Sequence, residues 1–322
     1  MRGVGRGVKA AALLVAAVAS MAAGGGQSAK VDLERMGMPR ETFDMYALAG
    51  CPNDLLTYRA VVWVNAETVL AAFTVSPVCP KTMAPAANAE MKLATFDTTG
   101  KMLHTVDAHY VAGTNNMLPH DGVWTLADGR VVVEFPPSGW VQGAAKDGGL
   151  GVWSPDLKLV QTVALHGMST DALHVAGVSE DGTKMVLWRG MNEQTDGKCV
   201  EMGGNPLVQT GTCTQAELEA VRARAHGAGG YPVPKGEEVM MFTGAAQDGS
   251  RASAFLTKEQ TMQCRLQGQY CPTNGEFVVF DPKSKQTLLK DKVSVLGRMA
   301  LAPDGKHAAV MDKGKLEIVA VP

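Results

Sequence analysis

Leu301-Ala-Pro-Asp-Gly-Lys-His-Ala-Ala-Val-Met-Asp-Lys-Gly-Lys-Leu-Glu-Ile-Val-Ala-Val321 is the stretch on which the fold turns. Asp304-Gly305 and Lys313-Gly314 punctuate three short runs rich in Ala, Val, Leu and Ile. Gly at such a turn takes a positive φ that other residues resist, so Asp-Gly between β-prone runs is a strong hairpin signal. The stretch reads as three antiparallel strands.

Working back from it, related turns interrupt apolar runs at Asn65, Asp128, Asp181 and Asp248, 53 to 67 residues apart along the chain. A second kind of turn follows in three of the copies: Asp97-Thr-Thr-Gly100, Ser154-Pro-Asp156 and Asp281-Pro-Lys-Ser284. Two hairpins per copy make a four-stranded sheet. Such a sheet cannot bury both of its faces alone, whereas several stacked radially can. The final copy holds three strands only, so a segment within 30–56 is expected to supply the fourth. In the third copy the second hairpin reads as replaced, because Met191–Cys213 is polar and Gly-rich.

Ala302-Pro-Asp-Gly-Lys-His-Ala-Ala-Val310 resembles the hairpin of WD40-like and YVTN-like bacterial propeller repeats. Ser179-Glu-Asp-Gly-Thr-Lys-Met-Val-Leu187 and Leu126-Ala-Asp-Gly-Arg-Val-Val-Val133 resemble it too, and Phe280-Asp-Pro-Lys-Ser-Lys-Gln286 and Phe96-Asp-Thr-Thr-Gly-Lys101 resemble the outer turn of those repeats. The resemblance covers roughly residues 57–322, with a gap at 190–235. It implies an all-β propeller of about five four-stranded blades, a sixth or seventh being conceivable in the inserts. The period exceeds the roughly 40–45 residues of such repeats, and the Gly-His…Trp-Asp signature is missing. Two packed sheets of a β-sandwich are the competing arrangement.

The one clear helix signal is Thr214–Ala225, where Thr214 and Glu217 have capping-box spacing before an Ala- and Leu-rich run. At the N-terminus, Arg2, Arg6 and Lys9 precede the apolar run Ala10–Ala19, with small residues at Ala17, Ala19, Ser20 and Ala22. This is the pattern of a signal peptide over 1–23, too short for a good membrane span. A 24–56 arm and a single 57–322 propeller domain follow. The remaining cysteines, Cys51, Cys79, Cys199, Cys213, Cys264 and Cys271, are even in number, which in an exported chain favours disulfides. Proximity favours Cys199–Cys213 and Cys264–Cys271, then Cys51–Cys79. A periplasmic or secreted location follows from these two signals.

With a net charge of −2 the chain carries no electrostatic footprint for nucleic acid. No metal-ligand spacing, Gly-x-Ser-x-Gly or Gly-Lys-Ser/Thr occurs, and Gly148-Gly-Leu-Gly-Val-Trp153 enters a strand rather than a helix, so no cofactor and no metal are expected. The 18 methionines read as core filler, and Trp63, Trp124, Trp153 and Trp188 as packing between blades.

In a propeller the long segments 76–90, 108–121, 136–149, 189–235 and 257–275 share one face, and long loops carry function more often than tight turns do. The candidate binding residues there are His109, His120, Trp140, His166, Asp171, His226 and Tyr231, with Tyr110, Asp121, Arg189 and Arg222 beside them. Neutral imidazoles next to a carboxylate can serve acid–base chemistry, although loop histidines are more often merely solvated. Three functions remain open: a non-catalytic cell-envelope or secreted propeller binding a protein or glycan partner, an exported hydrolase or lyase using loop His and Asp, and a small-ligand sensor. N-terminal sequencing of the exported protein is expected to start between residues 20 and 24; a start at Met1 would remove the signal-peptide reading.

Overall fold

The computed structural model describes residues 28–38, 59–75, 90–108, 122–135, 149–165, 173–189, 198–225, 231–258, 274–294 and 297–322. They form five four-stranded antiparallel sheets, the blades of a β-propeller. Strand β1 (Ser28–Asp32) stands apart in sequence. Blade 1 contains β2 (Arg59–Trp63), β3 (Thr68–Val75), β4 (Glu90–Asp97) and β5 (Met102–Ala108). Blade 2 contains β6 (Val123–Thr125), β7 (Val131–Phe135), β8 (Gly149–Trp153) and β9 (Leu159–Ala164). Blade 3 contains β10 (Leu173–Val178), β11 (Lys184–Arg189), β12 (Lys198–Gly203) and β13 (Val208–Cys213). The helix α1 (Gln215–Ala225) separates it from blade 4, which contains β14 (Glu237–Ala245), β15 (Ala252–Lys258), β16 (Asn274–Phe280) and β17 (Thr287–Ser294). Blade 5 contains β18 (Arg298–Leu301), β19 (His307–Asp312) and β20 (Lys315–Ala320), completed by β1.

Position in the blade explains the residue pattern. The second strand is covered on both faces by neighbouring blades, so Val69-Leu-Ala-Ala-Phe73 in β3 is apolar throughout and wholly buried. The fourth strand lies at the rim. There β9 is largely exposed, and Leu159 and Val160 are 47% and 53% accessible. Each tight turn spends its acidic residue on itself. The Asp97 carboxylate accepts N–H bonds from Thr99 and Lys101 at 2.9 and 3.0 Å, and Asp304 accepts one from Lys306 at 2.9 Å.

Apolar clusters join neighbouring blades. Val62, Leu93, Val133 and Trp153 bridge blades 1 and 2; Val152, Met185, Leu187 and Met202 bridge 2 and 3; Phe277, Val279, Met299 and Val310 bridge 4 and 5. Between blades 5 and 1, Phe73, Phe96, Met311 and Ile318 pack with Leu33 and Met38. Polar pins reinforce these junctions. Trp63 Nε1 donates to the Ala300 carbonyl at 3.1 Å, and Arg251 Nη1 donates to the Gly305 carbonyl at 2.6 Å.

The three-stranded terminal stretch is closed by the N-terminal arm, with Ser28 to Asp32 running antiparallel to Val319 to Lys315. The strand starts two residues before the 30–56 window, inside the 24–56 arm. The Leu33 N–H then donates to the Gly314 carbonyl at 2.8 Å. Blade 3 departs from the sequence reading. Its second hairpin is present, because β12 and β13 lie within the stretch read as an insert. These strands carry Gly203, Gly211 and several polar residues. They hold together through backbone pairing and the Cys199–Cys213 disulfide, with Cα atoms 4.9 Å apart, rather than through an apolar run. The other cysteines, Cys51, Cys79, Cys264 and Cys271, lie outside the described residues.

Leu33 is fully buried in the closure cluster, so Leu33→Ala is expected to cost about 2–5 kcal/mol in urea unfolding. The rim substitution Leu159→Ala, at a site 47% exposed, is expected to cost under about 0.5 kcal/mol. Equal effects would contradict the closure described.

Candidate functional site

The two ends of the propeller differ in kind. One end carries the tight turns that join first to second and third to fourth strands, around Asn65, Asp97, Asp128, Asp156, Asp181, Asp248, Asp281 and Asp304. Their side-chain oxygens are committed to local hydrogen bonds. Asp181 takes hydroxyl bonds from Ser179 and Thr183 and the Thr183 N–H, which hold it down to about 2. Hydrogen bonds from Lys158 and Ser154 likewise hold Asp156 down to about 2. Asp156 and Asp181 therefore stay ionised and have no proton to exchange near neutrality.

At the opposite end, second strands end and third strands begin, and each blade hands the chain to the next. The strand ends that bracket segments 76–89, 109–121, 136–148, 190–197 and 259–273 all lie there. Among the described residues, β19 and β20 are joined at this end by a tight turn at Lys313-Gly314, and the Gly297 N–H donates to the Ser294 carbonyl between blades 4 and 5.

Described charged residues sit at these strand ends: Arg59 on β2, Glu134 on β7, Glu237 and Glu238 on β14, Arg298 on β18 and Asp312 on β19. Arg59 is 4% accessible although it begins an innermost strand. Asp312 accepts the Ser294 N–H at 2.9 Å and so ties blade 4 to blade 5.

Glu134 is chemically the most distinctive. Its own N–H donates to the Gly122 carbonyl at 2.8 Å, which fixes the end of β7 against the entry to blade 2. Its carboxyl reaches blade 3, where the Val175 N–H donates to it beside the bulge between Val175 and Gly177 in β10. Part of the residue remains accessible, but the carboxyl itself is enclosed, and this burial pushes it up to about 8. The Val175 N–H opposes that shift without cancelling it. Glu134 is therefore mostly a neutral acid at pH 7, able to donate a hydrogen bond or a proton.

Of the residues singled out in the sequence, Tyr231 is described. It packs on Phe280 with ring centroids 4.8 Å apart, and its hydroxyl lies 3.1 Å from Thr287 Oγ1. It therefore belongs to the flank of blade 4 rather than to the long-loop end, because Phe280 and Thr287 flank a tight turn. Residues 231–236 run from the turn end of blade 4 to β14, which the sequence pattern did not reveal. His109, Tyr110, His120, Asp121, Trp140, His166, Asp171 and His226 lie outside the described residues. Arg189 and Arg222 lie on β11 and α1. Sequence reading passed over Glu134 and Arg59 because both fall inside runs read as strands. The available signal was a charge at the end of an apolar strand, next to a long connection.

Among the described residues, no group of His, Cys, Asp or Glu is arranged to hold a metal ion, and no helix is long and apolar enough to cross a membrane.

No family model and no curated protein matches the chain. Similar solved structures include prolyl oligopeptidase B from Galerina marginata with a 35mer substrate, at 8% identity over 84% of this chain and 40% of that one, TM-score 0.35. The β-propeller domain of the Trilobed protease from Pyrococcus furiosus is 8% identical over 79% of this chain and 63% of that one, TM-score 0.29. The chain thus spans about two-fifths of the oligopeptidase. At such scores the likeness carries no functional argument, and the propeller architecture rests on the five sheets themselves.

Glu134 gives stability a definite pH dependence. Below its ordinary value of 4.5 both folded and unfolded chains hold the proton. Between 4.5 and about 8 only the folded chain keeps it, so stability falls as pH rises, and the loss is complete above 8. Urea unfolding from pH 5 to 8.5 should show this fall, at most about 1.4 kcal/mol per pH unit, and Glu134→Gln should remove it. Parallel profiles for the two proteins would refute the assignment.

Proposed function

We propose that this protein is a non-catalytic cell-envelope or secreted propeller that binds a protein or glycan partner through its long-loop end. The observation that carries this is the asymmetry between the two ends: self-satisfied tight turns at one, nearly all the long connections at the other. Binding surfaces are commonly built from loops held on a rigid scaffold, and the bridged blades supply the scaffold. Export is supported by the basic-then-apolar N-terminus and by the Cys199–Cys213 disulfide.

In this reading Trp140 and the histidines His109, His120, His166 and His226, with Asp171, provide contacts to the partner. Trp140 suits stacking on a sugar ring or on a partner's side chain, since its Pro/Gly-rich surroundings do not place it in a strand.

One observation favours a second reading, an exported hydrolase or lyase. Glu134 holds a proton at neutral pH at the same end of the propeller, as a general acid must.

The two readings separate experimentally. Immobilised protein should retain a partner from solubilised envelope or from a glycan array, and Trp140→Ala should weaken that retention about tenfold or more with an unchanged melting temperature. Unaltered retention by Trp140→Ala would remove Trp140 from the binding surface. Turnover of peptide or glycan substrates that Glu134→Gln abolishes would replace the binding reading with the catalytic one.

A further inference from the structure

The rim strand of blade 3 is held at its two ends by different means. Along β13, Val208, Gln209, Thr210 and Thr212 are exposed, and Gly211 and Cys213 are half-buried. Its ladder with β12 slips by one residue between Glu201 and Met202, and Gly211 has no side chain to pack. At the turn that starts the strand, Leu207 is buried in the cluster shared with blade 2. The Gln161 side chain accepts the Leu207 N–H at 2.7 Å and donates to the Leu207 carbonyl at 2.8 Å. At the other end Cys213 stands directly opposite Cys199 in the ladder, and the disulfide joins them.

What β13 leads into is α1. Thr214 follows Cys213 and caps the helix: Thr214 Oγ1 accepts the Glu217 N–H at 3.2 Å, and Glu217 Oε2 accepts the Thr214 N–H at 2.7 Å. Leu218 and Val221 then pack with Val186, Cys199, Trp188 and Cys213, so the disulfide is itself part of the apolar seat of the helix. The same helix also meets β14 of blade 4.

The two sulfurs differ in access. Cys199 is 4% accessible, whereas Cys213 lies half-buried on the rim, where an attacking thiolate can approach. A thiolate of a dithiol reductant that attacks Cys213 Sγ forms a mixed disulfide with it and expels Cys199 as a thiolate, which takes a proton from water. The second thiol of the reductant then displaces Cys213 as a thiol, and the reductant leaves as its own disulfide. Two electrons and two protons pass to the protein.

We infer that the Cys199–Cys213 disulfide is a redox-operated latch. Oxidised, it holds β13 on β12 and the start of α1 in its seat. Reduced by a dithiol, it lets β13 and the start of α1 swing away, with Leu207 as the fixed point and the other blades unchanged. The bond restrains the opened hairpin as it restrains an unfolded chain. For a sequence separation of 14, its loss makes opening about a hundredfold more frequent. This holds whatever the long-loop end binds.

Amide hydrogen exchange on the full-length protein tests the latch. In Cys199→Ala/Cys213→Ala, exchange across 208–221 is expected to be about a hundredfold faster than in the oxidised protein, with β7 and β8 of blade 2 unchanged. A second measurement does not depend on the variant folding: the natural chain is exposed to dithiothreitol and iodoacetamide without denaturant. Protection at 208–221 is then expected to fall in step with alkylation of Cys213 and Cys199, while β7 and β8 keep theirs. Unchanged exchange at 208–221 in protein alkylated at both cysteines, or loss of protection in β7 and β8 at the same rate, would overturn the inference.

Discussion

Everything in this molecule depends on covering both faces of each four-stranded sheet. An isolated sheet of this size leaves one or both faces wet, so each blade gains its stability from the blades beside it. The second strands show this most plainly. Val69 to Phe73 is buried on both sides, which is possible only where the strand is enclosed by two neighbours. The ring has to close, and closure falls to a five-residue strand at the start of the described chain. Paired with β20, Ser28–Asp32 completes blade 5, and Leu33 and Met38 then enter the cluster between blades 5 and 1.

The same constraint divides structure from function. Tight turns must satisfy their own polar groups. Asp97, Asp181 and Asp304 do so by accepting N–H bonds within their turns, which leaves their end of the propeller chemically quiet. The opposite end is free of that demand. There the charged ends of strands, notably Glu134 and Arg59, lie next to the long connections. Glu134 shows how packing creates chemistry: a carboxyl enclosed at the junction of two blades keeps a proton that the same residue on an exposed turn would lose.

The junction of blades 3 and 4 shows what happens when the repeat is interrupted. The α1 helix stands between the blades, against β10 and β11 of one and β14 of the other, and its Leu218 and Val221 pack on blade 3. The sequence displays that helix clearly, with Thr214 and Glu217 forming the expected reciprocal hydrogen bonds. It does not show that the helix fills a gap in a ring, because that depends on residues distant in the chain.

By itself the sequence determined the repeat, the five Asp- or Asn-based turns, the missing strand in the last copy and the capped helix, and by proximity it suggested the Cys199–Cys213 pairing that the structure holds. All of these are local: turn chemistry, capping spacing and short separation along the chain. It missed the second hairpin of blade 3, since β12 and β13 are polar and Gly-bearing and stand through backbone pairing and a disulfide. Only the tertiary structure decided which residues close the ring, that Tyr231 lies on the flank of blade 4, and that Glu134 is enclosed. Those outcomes depend on which blade lies beside which, and on burial contributed by residues tens of positions away.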